Sequence, residues 1–458
     1  MDSDFVAVIL AAGLGKRMKS SLIKGLHPLL GRPIVWHVIQ SVRDAGVGRV
    51  ILVVGHQEDR VRATLGSGVE YVTQKEQLGT GHALLQTQDL LQDFQGDMLV
   101  LYGDTPLLTP RDLGGLMEAH RSVGAAVTIL TAVVDDPTGY GRIVRGRRGE
   151  VENVVEEKDA TPEQLEICEV NTGIYCFRAK EAFPALLQLG CNNTQGEYYL
   201  TDVPGLLARA GKKVATVVSP DPQTVSNIND RVQLHAAASF MRNRNLAGMA
   251  RAGVTVVSFE TTFVDVGVVV GQDTVLYPMT FLEGNCRVGS GCVIGPNVTL
   301  RNTVIGDDCR ISYSVVEDSR VGSGVTIGPF AHLRPGSDIR DGARIGNFTE
   351  LKNALVDEGS KIPHHSYIGD TRIGKGVNIG AGTVTVNYDG RQKHSTSIED
   401  GAFIGCNANL IAPVTVGAGA YVAAGSTINQ DVPAQALAVA RNRQVNKEGW
   451  AAKNRGTK

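Results

Sequence analysis

A six-residue period over residues 264–433 constrains the fold of this chain more than any other feature. Each six-residue repeat, here called a phrase, contains an Ile, Val or Leu that is commonly followed by Gly. A small or β-branched residue lies four positions after this aliphatic residue. Because a helix turns by about 100° per residue, a step of six would scatter these side chains, whereas an even step keeps them on one side of a strand. The period therefore predicts short β-strands. The aliphatic positions are Val264, Val270, Leu276, Leu282, Val288, Ile294, Leu300, Val321, Ile327, Leu333, Ile339, Ile345, Leu351, Ile404, Leu410, Val416, Val422 and Ile428.

Strands at this spacing predict a parallel β-helix with the aliphatic side chains inside and the small residues at crowded corners. Three phrases would form one triangular turn, and each coil would bury its core only against its neighbours. With coils about 4.8 Å apart, the array would be a prism of roughly 40 Å and about nine turns. The period leaves the handedness open. The predicted corner residues include Thr274, Cys286, Ala331, Ala343, Ala408 and Ala420.

Length and composition limit the remaining possibilities. A chain of 458 residues is expected to contain two or three domains. Its formal charge of -2, without a run of Lys or Arg, argues against nucleic-acid and membrane-surface partners and favours small molecules. Apolar stretches such as residues 5–12 are far shorter than the ~20 residues of a membrane span, and without a signal peptide the protein is expected to be cytoplasmic. The scattered Cys286, Cys292 and Cys309 are expected to be packed thiols.

The amino-terminal part alternates apolar runs with helical stretches. Residues 5–10 form an apolar run that opens directly into a glycine-rich turn. Thr109 and Pro110 suit the N-cap and first position of a helix over residues 110–121. This alternation predicts an α/β domain with a mostly parallel, doubly wound, Rossmann-like sheet and a ligand at the carboxyl ends of its strands. Other strands are expected over residues 50–54, 98–102 and 126–131, and another helix over residues 34–45.

The glycine-rich turn, residues 11–18, is ambiguous by itself, since a tight strand-to-helix turn needs Gly with or without a ligand. It matches neither a Walker A loop nor the dinucleotide fingerprint. Arg17 and Lys24 would add two cations near backbone N–H groups that already favour anions, a combination that suits a triphosphate.

LAAGLGKRM, followed by Lys24 in LIKGLHPLLGRP, resembles the signature of sugar-1-phosphate nucleotidylyltransferases. The family usually has Pro where this chain has Ile23. The resemblance implies transfer of UMP from UTP to a sugar 1-phosphate, with Mg²⁺, Arg17 and Lys24 neutralising charge. The other matching stretches are Gln74 and residues 79–83, 102–104, 139–142, 155–156, 171–173, 197–202 and 229–231.

Asp104 follows a predicted strand, where a carboxylate could hold Mg²⁺ or, equally by position alone, cap a turn. The resemblance implies that Asp104 and Asn229 are the metal ligands. It also implies that Gly141, Glu156 and Asn171 hold the sugar. From the residues alone, Glu156 could equally be a solvated carboxylate, because Glu152 and Glu157 lie close to it in the sequence. The implied residues for UTP and the UDP-sugar are Leu10, Ala11, Ala12, Gly13, Lys24, Gln74, Gly79, Thr80, Tyr102, Gly103, Asp104, Gly141, Glu156, Asn171 and Asn229.

The repeat is interrupted over residues 386–393, and an insertion in a solenoid usually lies on its binding face. Cationic side chains and the pair His364 and His365 lie upstream of it. Phosphate binding needs such cations, and acyl transfer to an amine needs a base such as histidine, whose reference pKa is ~6.5.

Residues 348–393 and 447–450 resemble the family of bifunctional bacterial enzymes that join glucosamine-1-phosphate N-acetyltransferase to N-acetylglucosamine-1-phosphate uridylyltransferase. This resemblance covers essentially the whole chain and implies a left-handed β-helix. It implies that His364 is the general base toward acetyl-CoA, in preference to His365. Cys406 stands where the family often has Ser, which leaves an acetyl-enzyme open beside the simpler direct transfer. The implied residues are Arg334, Lys352, Tyr367 and Asn378 for glucosamine 1-phosphate, and Ala381, Asn387, Tyr388, Lys393, Cys406, Ala424 and Arg441 for acetyl-CoA.

The resemblance also implies a homotrimer and a division into a uridylyltransferase domain (1–229), a helical linker (230–252), an acetyltransferase β-helix (253–440) and a tail (441–458). Two other hypotheses are a nucleotidylyltransferase whose prism is only a scaffold, and a regulatory protein that keeps the fold without the chemistry. His364 and the insertion argue against the first. Asp104, Asn229, Arg17 and Lys24 argue against the second.

Overall fold

The computed structural model describes residues 4–455. The chain forms two compact units, one up to Met241 and one from Arg242 onward. The domain boundaries at residues 229, 252 and 440 stay predictions, and residues 1–3 and 456–458 of the predicted first domain and tail lie outside the described part. Within residues 4–455, no helix combines the length and the apolar character needed to cross a membrane.

The first unit is built on a nine-stranded sheet and a separate two-stranded hairpin. Strands β1 to β11 are, in chain order, Phe5–Leu10, Pro28–Leu29, Arg32–Pro33, Arg49–Val54, Glu70–Thr73, Asp97–Tyr102, Val127–Val133, Arg142–Arg145, Val151–Val155, Glu169–Arg178 and Val214–Val218. The main path is β11-β7-β10-β6-β1-β4-β5, and β8 and β9 extend from β10. Only β10 runs against its neighbours β6 and β7 on this path, so the predicted, mostly parallel Rossmann-like sheet is confirmed.

Helices cover both faces of this sheet because successive residues of its central strand point to opposite sides. Val6 and Val8 enter one apolar cluster, whereas Ala7 and Ile9 enter the other. The helix predicted from Thr109 begins with a capping box between Thr109 and Asp112. Helices α1 to α10 are Ile34–Asp44, Glu58–Leu65, Thr80–Leu85, Gln88–Leu91, Pro110–Val123, Pro162–Leu165, Ala179–Leu186, Asp202–Arg209, Arg231–Arg251 and Trp450–Asn454.

The second unit is the predicted hexapeptide-repeat, left-handed parallel β-helix. Equivalent residues of successive coils pair in parallel register, as Val275 does with Val293, so three phrases make one turn. Strands β12 to β39 are Thr255–Val256, Thr262–Val264, Val269–Val270, Val275–Leu276, Thr280–Glu283, Arg287–Val288, Val293–Ile294, Val298–Arg301, Val304–Ile305, Arg310–Ile311, Val315–Glu317, Arg320–Val321, Thr326–Ile327, His332–Leu333, Asp338–Ile339, Arg344–Lys352, Leu355–Val356, Lys361–Gly369, Thr371–Ile373, Asn378–Ile379, Val384–Val386, Thr396–Ile398, Phe403–Ile404, Asn409–Ile411, Val414–Val416, Tyr421–Val422, Thr427–Ile428 and Leu437–Ala438.

These strands form three faces. The first contains β31, β34 and β37, the second contains β32, β35 and β38, and the third runs from β14 to β36. The long strands β27 and β29 bend around the edge between the first two faces and belong to both. We call that edge the first corner, and the edge between the second and third faces the second corner.

The core of the prism follows the predicted period. Val270 is partly buried, and the other aliphatic positions of the repeat are buried. The corner thiols of Cys286, Cys292 and Cys309 are free and buried, as expected. Each thiol donates a hydrogen bond to a carbonyl of the next coil, at 3.2, 3.1 and 3.0 Å respectively. A small residue with a donor therefore both fits the corner and links two coils.

Candidate active sites of the two units

The first candidate site lies where the parallel strands of the sheet end. The backbone N–H of Gly103 donates to the carbonyl of Leu10 at 2.9 Å, and that of Ala11 donates to Val53 at 2.9 Å. Gln74 N–H donates to the carbonyl of Val54 at 2.7 Å. The segments after β1, β5 and β6, which carry many of the predicted nucleotide-binding residues, therefore meet at one edge.

The glycine-rich turn packs directly against the segment that carries Lys24. A Cβ atom on Gly15 would lie 2.8 Å from Cβ of Lys24, and Gly15 has a φ of 59°, which Gly tolerates best. Ile23 replaces the usual proline but has a φ of -63°, the value that proline would impose. The backbone before Lys24 is therefore one that a proline could also adopt. Arg17 lies exposed on the short turn Lys16–Met18.

Lys24, Asp104 and Asn229 meet although they are far apart in sequence. The Lys24 ammonium donates to Asp104 Oδ2 and, at 3.2 Å, to Asn229 Oδ1. Asp104 Oδ1 is buried and has no hydrogen-bond partner within residues 4–455. A capping carboxylate would accept backbone N–H groups, whereas this one faces an ammonium and keeps an unsatisfied oxygen. Carboxylate and amide oxygens suit Mg²⁺, so these residues fit the metal that the resemblance implies.

The predicted nucleotide residues Gln74, Gly79 and Thr80 are held by a later part of the chain. Gln74 is buried, and its Nε2 donates to the carbonyl of Gly79 at 3.0 Å. Leu200 N–H donates to Thr80 Oγ1 at 3.0 Å. A Cβ atom on Gly79 would lie 2.6 Å from the carbonyl oxygen of Tyr198. The matching stretch 197–202 therefore supports the loop that begins α3.

Glu156, predicted to bind the sugar, lies close to Tyr102. Burial, followed by the Glu156 carboxylate, raises the pKa of Tyr102, so these two side chains are close. Glu156 accepts a hydrogen bond from Thr201 Oγ1 at 3.0 Å, and its burial raises the pKa of its own carboxyl group. Glu152 is exposed whereas Glu156 is partly buried, so Glu152 is the solvated carboxylate of the two. A Cβ atom on Gly173 would lie 2.3 Å from the Tyr102 ring.

Asn171 lies near the start of β10, beside Gly141. Its backbone N–H donates to the Gly141 carbonyl at 2.8 Å, and its side chain donates to the Tyr175 hydroxyl at 2.8 Å. The register of β10 against β7 shifts between Asn171 and Ile174. Such an irregularity redirects side chains at the edge of a sheet. The structure thus brings Gly141 and Asn171 together at one end of β10.

The second candidate site lies at the first corner of the prism. His364, Ala381, Cys406 and Ala424 occupy equivalent positions of successive coils there, linked by backbone hydrogen bonds of 2.7–2.8 Å between neighbouring corner residues. A Cβ atom on Gly405 would lie 2.4 Å from the backbone nitrogen of Ala424. The corner is therefore a narrow lane of small residues leading away from His364. It suits a thin, extended ligand.

His364 is exposed at the head of this lane. Its Nδ1 lies 2.9 Å from Oδ1 of Asn347, which occupies the same corner one coil earlier. Arg441 lies at the other end, since its Cδ would be 3.8 Å from a Cβ atom on Gly425. Asn347 was not predicted as a site residue, because its separation of 17 positions from His364 differs from the 18 between Val275 and Val293.

Cationic side chains gather at the other end of the second face. The neighbouring Lys352 side chain lowers the pKa of Lys393, so the two ammonium groups are adjacent. Arg334 directly follows β25 of this face and pairs with Glu350 at 3.0 Å. Lys393, predicted for acetyl-CoA, thus joins Lys352, which was predicted for the sugar phosphate.

The residues predicted for glucosamine 1-phosphate, and those predicted for acetyl-CoA, lie on different parts of the prism within one chain. Asn378 lies in β31 on the first face, whereas Lys352 and Tyr367 lie on the second. The predicted acetyl-CoA residues are divided in the same way. Ala381, Cys406, Ala424 and Arg441 follow the first corner, whereas Asn387, Tyr388 and Lys393 belong to the insertion at the second.

The insertion, residues 387–394, is an ordered hairpin. Tyr388 forms a bridge with Lys393, and His394 Nε2 lies 2.8 Å from Asp389 Oδ2. Backbone N–H groups and His394 lower the pKa of Asp389 to about 2. The Asn387 amide donates to Asp370, which also accepts from Asn353 at 2.8 Å. Asp370 therefore anchors the insertion, and sequence reasoning missed it.

Comparisons with known proteins agree with both halves. The family model of the MobA-like NTP transferase domain matches residues 7–202. That of the bacterial transferase hexapeptide (six repeats) matches residues 267–302, 318–353 and 395–430. The Bifunctional protein GlmU of Brevibacillus brevis is 53% identical over 98% of this chain and 97% of its own length. Those of Geobacillus sp. and Exiguobacterium sp. are 51% and 52% identical over 97% of this chain and 97% and 98% of theirs. The chain therefore belongs to the GlmU family of bifunctional enzymes and is both an acetyltransferase and a uridylyltransferase.

Proposed function

We propose that the β-helix acetylates glucosamine 1-phosphate with acetyl-CoA, and that the sheet unit then transfers UMP from UTP to N-acetylglucosamine 1-phosphate. The products would be UDP-N-acetylglucosamine, CoA and pyrophosphate. The observation that supports assigning one reaction to each unit is that the residues suited to each reaction lie together in a different unit. Lys24, Asp104 and Asn229 meet at the sheet edge, and His364 heads a lane of small residues on the prism.

Uridylyl transfer needs no nucleophile from the protein, because the sugar phosphate itself attacks the α-phosphorus of UTP. Asp104 and Asn229 would hold Mg²⁺, which supplies charge stabilisation to phosphate oxygens when bound. Lys24 and Arg17 would stabilise the negative charge on the departing pyrophosphate. The roles of the other residues are positional. Leu10, Ala11, Ala12, Gly13, Gln74, Gly79, Thr80 and Gly103 would hold the nucleotide, and Tyr102, Gly141, Glu156 and Asn171 the sugar.

Acetyl transfer would use His364 as the general base. Its imidazole takes the proton of the sugar amine while the nitrogen forms a bond to the thioester carbon, and CoA departs as the C–S bond breaks. Arg334, Lys352 and Lys393 are cations suited to the sugar phosphate. Cys406 is one of the residues of the lane and would contact acetyl-CoA there, and acetyl transfer is direct. An acetylated Cys406 trapped by mass spectrometry during turnover would contradict direct transfer.

We propose that the active form is a homotrimer. This is supported by the division of the predicted acetyl-CoA residues between two corners of one prism. The insertion of one chain would complete the lane of its neighbour. A monomer with full acetyltransferase activity would contradict the shared site. The chain is expected to work in the cytoplasm on small-molecule substrates.

The first test is one pair of assays on the purified protein and on His364→Ala. Release of CoA is followed with glucosamine 1-phosphate and acetyl-CoA, and release of pyrophosphate with UTP and N-acetylglucosamine 1-phosphate. We expect both activities in the natural protein and loss of CoA release alone in the variant. Undiminished CoA release by His364→Ala would remove His364 from the role of base. His365→Gln is the matched control, since the two histidines are adjacent.

A further inference from the structure

We propose that Asn347 is a positioning residue that fixes the tautomer of His364 and so leaves its Nε2 free to take the proton. The inference rests on the proposed role of His364 as the base. Asn347 is not among the residues that the resemblance implied for either reaction. It touches the base itself, in the coil before it.

The geometry of the pair determines which ring nitrogen carries hydrogen. Asn347 Oδ1 lies 2.9 Å from His364 Nδ1. A neutral imidazole has one N–H and one lone pair, and an amide oxygen only accepts hydrogen bonds. Nδ1 must therefore carry the hydrogen and donate it to Asn347. The lone pair is then on Nε2, on the other side of the ring.

The backbone around the pair restricts both side chains. Asn347 and His364 are partners in the register between β27 and β29. A Cβ atom on the adjacent Gly346 would lie 1.7 Å from the carbonyl oxygen of Pro363, so the two coils are in tight contact at this point. Ser366 Oγ also donates to the His364 carbonyl at 2.8 Å. The close contact of the two coils therefore fixes the distance between the Asn347 and His364 side chains.

The amide also suits the proton transfer that follows. When Nε2 takes the proton of the sugar amine, the imidazolium keeps its Nδ1–H donated to Asn347, so the ring need not rotate during the reaction. A carboxylate in the same place would stabilise the imidazolium more strongly and raise its pKa. A neutral acceptor orients the ring without placing a negative charge beside it.

Other titratable groups on β27 and β29 could contribute to the pH dependence of CoA release. They are Arg344, Glu350 and Lys352 on β27, and Lys361, His365 and Tyr367 on β29. Of these groups, only His365 is a second imidazole. His365→Gln is therefore the control that assigns the acid limb of a pH profile to His364.

The experiment compares Asn347→Leu, Asn347→Asp and His365→Gln by the pH dependence of CoA release. We expect Asn347→Leu to lower kcat on the order of tenfold to a hundredfold with little change in the KM for acetyl-CoA. Asn347→Asp should rescue kcat above neutrality and move the acid limb to higher pH, because its carboxylate keeps His364 protonated longer. His365→Gln should leave the profile in place. The urea midpoint of CoA release by each variant checks the integrity of the prism.

Two results would overturn the inference. One is a kcat and acid limb in Asn347→Leu equal to those of the natural protein. The other is an equal loss in Asn347→Asp and Asn347→Leu, because an acceptor at this position would then have no value. Failure of the proposed base itself would be seen separately, as CoA release that persists in His364→Ala.

Discussion

The two candidate sites are assembled in opposite ways. In the sheet unit, Lys24 contacts residues 80 and 205 positions further along the chain. In the prism, His364 and Asn347 are 17 positions apart and the lane continues coil by coil. The first site exists only when the whole sheet is folded. The second is a local exception to a repeat, made by a few polar residues on neighbouring coils. The sheet site should therefore respond to damage anywhere in its unit, and the prism site mainly to damage nearby.

The largest expected effect separates the two chemistries. Asp104→Asn keeps the shape of the side chain but removes the charge that faces Lys24 and the expected metal. We expect pyrophosphate release to fall on the order of a thousandfold while CoA release is unchanged. Glu152→Gln, an exposed change in the same unit, is the control and should retain both activities. Equal loss of both activities in Asp104→Asn would remove its assignment to uridylyl transfer.

A core substitution tests whether damage stays local. Leu351 is buried between Leu333 and Ile368 of the adjacent coils, so Leu351→Ala should lower the free energy of unfolding of the β-helix by about 2–5 kcal/mol. In urea, CoA release should be lost at a lower concentration while pyrophosphate release keeps its midpoint. Leu99→Ala, at a buried position of the sheet, should give the reverse pattern. A common shift of both midpoints in either variant would show that the units do not respond separately.

The anchor of the insertion provides a finer test within the prism. Asp370→Ala removes the acceptor for the amides of Asn353 and Asn387. We expect the KM for acetyl-CoA to rise about tenfold, a loss of roughly 1.4 kcal/mol, with little change in kcat. Asp318→Ala is the matched control, because Asp318 accepts from Asn302 at 3.1 Å at the same corner, away from the insertion. An equal change in KM in both variants would indicate a general effect on the corner.

The smallest effect concerns pH and the sheet unit. Burial raises the pKa of Glu156, so the folded state holds its proton more tightly than the unfolded state does. Stability from this group is therefore lost as pH rises from its unfolded value through the raised folded one. Glu156→Gln should raise the Tm by a few degrees at pH 8 and leave it unchanged at pH 4. A Tm difference that is the same at both pH values would rule out the buried charge as its cause.

The sequence period predicted the prism in detail because each inward residue occupies the same environment in every coil. Even the buried Cys286 followed from its place in the phrase. The partners Asn347 and Asp370 were not predicted. The length of a turn varies between coils, as the pairs Val275 with Val293 and Asn347 with His364 illustrate, so their register was not available from a fixed period.

The sheet site was predictable to a different extent. The motifs located Asp104 and the glycine-rich turn at strand ends, which the structure bears out. The contact of Lys24 with Asn229 depends on the order of strands and on the return of the chain before α9, neither of which appears in a local pattern. The antiparallel direction of β10 was not predicted for the same reason. A run of buried residues has the same sequence pattern in a parallel and in an antiparallel strand.

The insertion at the second corner has an evolutionary consequence. Residues 387–394 leave the prism after β32 and return before β33, and both strands keep their parallel partners in the neighbouring coils. The apolar interior is therefore untouched by the composition of this hairpin. Lineages can lengthen, shorten or replace such a segment without redesigning the scaffold. The ligand contacts of this corner can then diversify while the stacked coils remain under a separate and stricter selection for packing.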